Sequence, residues 1–99
     1  MIRDLLKRKK ISTSAHACVN KYFSNIEKRK IEELDSKKAS KRLQKLTKQL
    51  KFEANMYFNK NDLGIYGKAK YAKEIQNALE SSDFDSDVIS YVVNSIVRG

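Results

Sequence analysis

An all-α fold is predicted by three features of the chain. Proline is absent, Gly64 and Gly67 are the only glycines before the last residue, and apolar residues recur at steps of three and four. The expectation is a small domain of three to four helices plus a short basic helix at the N-terminus. It is dimeric if a long helix or a helical hairpin leaves an apolar stripe uncovered. With 99 residues, the chain is read as a single helical domain, 1–99, holding one modest core.

Ile2, Leu5 and Leu6 give the basic N-terminal arm, residues 1–12, one apolar side. Ser12, Thr13 and Ser14 are candidate N-caps, since each hydroxyl can accept from an orphan backbone N–H. Ala15, Val19, Tyr22, Phe23 and Ile26 then predict a helix over 14–34. Asp35-Ser36 either caps a new helix or lies inside an unbroken one. In the second case residues 14–59 form a rod of about 69 Å, too long to bury its own stripe, and the chain dimerises.

The clearest period is Ala39, Leu43, Leu46, Leu50, Ala54 and Tyr57, which predicts a helix over 37–59 with its leucines in the core. Phe52 falls off that stripe and is expected to face outward. A loop is expected over 61–67, with Gly64 and Gly67 as turn glycines. The four residues Gly64 to Gly67 resemble the clamp of KH domains, but that family's three-stranded sheet has no candidate strands in this chain. Tyr71, Ala72, Ile75, Ala78 and Leu79 predict a helix over 68–80. Val88, Ile89, Val92, Val93, Ile96 and Val97 predict another over 86–98, with Asp85 as its N-cap and Phe84 and Ile89 as a hydrophobic staple.

The formal charge is +9, and it is unevenly distributed. Residues 1–60 carry +11 and residues 61–99 carry −2. Such asymmetry points to one face suited to an anion. Lys37, Lys38, Lys41, Arg42, Lys45 and Lys48 fall within twelve residues, and Lys41, Lys45 and Lys48 share one helical ridge. Like charges at that spacing repel, and Glu53 is the only acid between Lys37 and Lys60. Phosphates would relieve the repulsion and release counterions. Lys7, Arg8, Lys9 and Lys10 form a second cluster.

Catalytic and metal chemistry have little to draw on. The single Cys18 rules out an intrachain disulfide, and the single His16 rules out a His-rich metal site. Two residues apart on a helix, His16 and Cys18 point in different directions, so a buried structural thiol and an ordinary boundary histidine are expected. Asp83, Asp85 and Asp87 alternate like the start of a calcium loop but lack its glycine and its closing glutamate. No apolar run spans a membrane, no secretory signal is read, and no cofactor motif is found. The expectation is a cytoplasmic, non-enzymatic module that binds a polyanion, preferably nucleic-acid backbone, DNA or RNA. The alternative is an inhibitor or immunity-type module docking on an acidic protein.

Overall fold

The computed structural model describes the backbone of residues 2–98 and the side chains of residues 9–98. It contains five helices, α1 (Ile2–Tyr22), α2 (Asn25–Glu33), α3 (Ser36–Lys60), α4 (Ile65–Ser81) and α5 (Ser86–Arg98), with no strand among the described residues. The all-α expectation holds. Packing runs in a ring, with α1 against α3 and α4, and α5 against the other sides of α3 and α4; α2 rests on α3. The molecule measures 48 × 23 × 19 Å.

The helix boundaries in the first third differ from those expected. Residues 1–12 do not form a helix of their own, because α1 continues through Ser12, Thr13 and Ser14 without a break. The three hydroxyls find other partners. Thr13 donates back to the Lys9 carbonyl at 2.9 Å, Ser12 donates to Glu74 at 3.1 Å, and Ser14 lies 3.3 Å from the Tyr71 hydroxyl. A cap hydroxyl bonded elsewhere cannot stop a helix. The break comes instead at Phe23-Ser24, where Ser24 is extended and its hydroxyl accepts from the Glu27 N–H. That bend removes Ile26 from the predicted stripe and leaves it exposed.

Asp35 does end the run. It is extended at ψ 163°, and its carboxylate accepts from the Lys38 N–H at 2.9 Å. The 14–59 rod is therefore not formed, and α3 alone spans about 37 Å. Asn61 and Asp62 close α3, and the left-handed φ of 50° at Asp62 reverses the chain. The loop is shorter than expected, since α4 begins at Ile65. Gly67 is a helical residue rather than a turn glycine. A Cβ there would stand 3.0 Å from the Leu63 Cβ, so its lack of a side chain lets Leu63 fold back onto the first turn of α4.

Inward-facing residues of the ring meet in one core. Leu46, Leu50, Ala54 and Phe58 come from α3, Tyr71, Ala72, Ile75, Ala78 and Leu79 from α4, and Val92 and Ile96 from α5. Ile11, Ala15, Cys18, Val19 and Phe23 complete it from the α1 side. Tyr71 sits at its centre, fully buried, with its ring edge-on to Phe58 at 5.1 Å and tilted on Tyr57 at 5.4 Å. Phe84 is buried against Phe23 at 5.8 Å, which anchors the entry to α5 one residue before Asp85.

Candidate functional site

The α3 lysines occupy the side of the helix opposite the core. At 3.6 residues per turn, Lys37, Lys38, Lys41, Lys45 and Lys48 fall within an arc of roughly 100°, and they span about 16 Å of axis. All five are exposed, and among the described residues none of them pairs with a carboxylate. Arg42 departs from the predicted set. It lies toward the side of α3 and forks onto Glu27 of α2, with its Nη2 3.0 Å from one carboxylate oxygen and its Nε on the other. Its charge is used to hold α2 in place. The guanidinium in turn keeps the Glu27 carboxyl below the ordinary value of 4.5.

Lys9 and Lys10 are exposed, and they lie at the far end of α3 from Lys37, beside Asn61. The side chains of Lys7 and Arg8 lie outside the described residues. Lys9 and Lys10 thus reach the C-terminal end of α3 rather than the ridge.

Between the two basic regions runs a groove formed by α1 and α3. Its larger section, about 720 Å³, is floored by Phe52, Met56, Tyr57 and Tyr22 and ends at Lys48 and Lys60. A second section of about 480 Å³ shares Ser14 and Tyr57 with the first and continues to Lys9 and Lys10. Phe52 is 66% exposed and Met56 56%, which makes the outward placement of Phe52 correct and adds a partner the sequence reading missed. Met56 follows Phe52 by four residues, the spacing that puts both on one face.

Two carboxylates lie under the α1 contacts. Glu53 accepts from Lys21 at 2.6 Å and Tyr22 at 2.6 Å, and the Cys18 thiol lies 3.5 Å away. Glu74, buried in the α1–α4 seam, is bonded by Lys70 at 2.7 Å, His16 at 3.1 Å and Ser12 at 3.1 Å. Lys21 holds the Glu53 carboxyl low, and Lys70 does the same for Glu74. Glu74 was not singled out in the sequence, although a carboxylate wedged among Tyr71, Ile75 and Ala78 was the available signal.

Cys18 is buried, with the Tyr71 hydroxyl 3.1 Å from its sulfur. Burial pushes its thiol up from the ordinary value, away from the thiolate a nucleophile needs. His16 is committed to Glu74, so these two residues do not form a nucleophile–base pair.

These carboxylates set an acid limit. Glu27, Glu53 and Glu74 all have folded pKa values below 4.5, so the stability they contribute is complete above about that pH. It is lost as pH falls through the lowered folded values. Tm is expected to hold between neutrality and about pH 5 and to drop below about pH 4.5. Glu74→Gln should lower Tm at pH 7 and flatten the acid limb; an unchanged limb would place the linkage elsewhere.

No helix among the described residues is long and apolar enough to cross a membrane. Comparison with family models, characterised sequences and solved structures found no match to this chain.

Proposed function

We propose that the chain is a non-enzymatic module whose α3 ridge binds a polyanionic surface, with nucleic-acid backbone as its preferred ligand. The observation that carries this reading is the unpaired lysine ridge itself. Five ammonium groups share one exposed face, while Glu53 and Glu27 are already bonded to Lys21, Tyr22 and Arg42, and the Asp35 carboxylate accepts from the Lys38 backbone N–H as the helix cap. A helix needs no such concentration of one sign for its own stability, because i,i+4 lysines repel. Phosphates spaced along a strand supply the missing counter-charge. Contacts of this kind position a protein without reading sequence.

The experiment is a direct titration of labelled single- and double-stranded DNA and RNA at micromolar protein. Four to five phosphate contacts on a duplex predict a log–log salt slope of about −3.6 to −4.5, with little dependence on sequence. Failure of all four ligands at about 50 mM salt overturns the reading, because electrostatic binding is strongest at low salt. Polyglutamate competing as strongly as DNA of equal charge also overturns it, and assigns the ridge to an acidic protein partner.

A further inference from the structure

The lysine ridge does not account for the groove beside it. Phe52 continues the line of Lys41, Lys45 and Lys48 on the same face of α3, and Met56 extends it. A polyanion lying only on the ridge would leave this apolar surface uncovered. Phe52 and Met56 stand side by side along a groove, which sets them apart from singly scattered surface hydrophobics.

We infer that the α1–α3 groove takes a short stretch of single-stranded nucleic acid, with bases against Phe52 and Met56 and phosphates against lysines at both ends. Charge decides between candidate occupants. Lys48 and Lys60 border the larger section, and Lys9 and Lys10 border its continuation. A second copy of the chain would bring another +9 onto this cationic rim and be repelled. An anionic ligand that also carries flat apolar faces satisfies both the rim and the floor. Bases in a duplex are stacked on one another and cannot cover Phe52, whereas an unpaired strand can splay them onto it.

Scale agrees with this ligand. Lys48 and Lys60 are twelve residues apart on α3, about 18 Å of helix axis. A few extended nucleotides cover that distance, within the roughly 4–16 nucleotides of single-strand sites on other small domains. Glu53 also lines the groove, but Lys21 and the Tyr22 hydroxyl already compensate its charge. It therefore sits beneath bases rather than opposing phosphates. Tyr57, half-buried and supported from behind by Tyr71, is a second surface for a base.

This inference rests on the polyanion reading above, and the groove can fail while the ridge reading stands. The probes are a mixed-sequence strand of about 15 nucleotides, as DNA and as RNA, and the matching DNA duplex. The wild-type protein should bind the strands more tightly than the duplex at equal salt. Phe52→Ala should weaken strand binding about 5- to 100-fold with its salt slope unchanged, since stacking carries no counterions. Lys60→Gln should lower the strand's salt slope by about 0.7. Duplex binding should be untouched by Phe52→Ala, and the exposure of Phe52 keeps that variant folded. Equal binding of strand and duplex, both indifferent to Phe52→Ala, overturns the groove and leaves the ridge reading intact. If no probe binds, the ridge reading falls and the groove assignment falls with it.

Discussion

Leu50→Ala is expected to lower Tm by at least about 8 °C, through the loss of ~2–5 kcal/mol. Leu50 is fully buried and faces the centre of the ring from the middle of α3, the helix that touches α1, α2 and α5. A truncated side chain there leaves a cavity bounded by several helices, and none can move in without pulling away from the others. Whole domains of this size are stable by only about 5–15 kcal/mol, so the variant should sit close to the folding threshold. Thermal melts followed by far-UV circular dichroism check it. A Tm equal to that of the parent would mean that the leucine stripe is not the inner face of α3.

The second large effect is on binding. Lys41→Glu combined with Lys45→Glu should lower the log–log salt slope for duplex DNA by about 2 and weaken low-salt binding at least tenfold. Both side chains are exposed and outside the core, so the fold should be unaffected. Stability is expected to hold or rise slightly, because the contacts with Lys37, Lys38 and Lys48 become Glu–Lys pairs, while the repulsion between positions 41 and 45 stays as a like-charge pair of opposite sign. Weaker binding with Tm equal or higher is the signature of a surface kept cationic for a ligand. Unchanged affinity in a folded variant would remove these two lysines from the interface.

The helical class and most of the core were legible because a 3.6-residue period records which face of each helix is inward. The stripe from Leu46 to Ala54 and the α4 residues Tyr71, Ala72, Ile75, Ala78 and Leu79 are buried as that period requires. Asp35-Ser36 was legible only as a choice between a cap and an unbroken helix, and the Asp35 carboxylate accepting from the Lys38 N–H decides for the cap. What failed was the competition between alternative uses of one side chain. Ser12 and Ser14 look like caps locally, yet their hydroxyls are taken by Glu74 and Tyr71, residues about sixty positions away. The Arg42–Glu27 pair was hidden for a related reason. A run of lysines and one arginine reads as a uniform patch until the bend at Ser24 places α2 against one side of it. The groove likewise needs α1 and α3 together, and only Phe52 of its floor stood out from the pattern.

α2 contributes no buried residue and is held through the Arg42–Glu27 fork, with Ile31 against the core and the Lys28 ammonium 5.9 Å from the Phe84 ring centroid. Glu27 is in effect an internal counter-charge for a cation that flanks the lysine ridge. A polyanion that drew Arg42 away from that carboxylate would remove one of the contacts that hold α2, leaving Ile31 and Lys28 to keep it in place. Were a ligand of the ridge to recruit Arg42, reciprocity would require that detaching α2 strengthen its binding by as much as that binding loosens α2. The helix with no buried residue would then set how many cations the ridge offers.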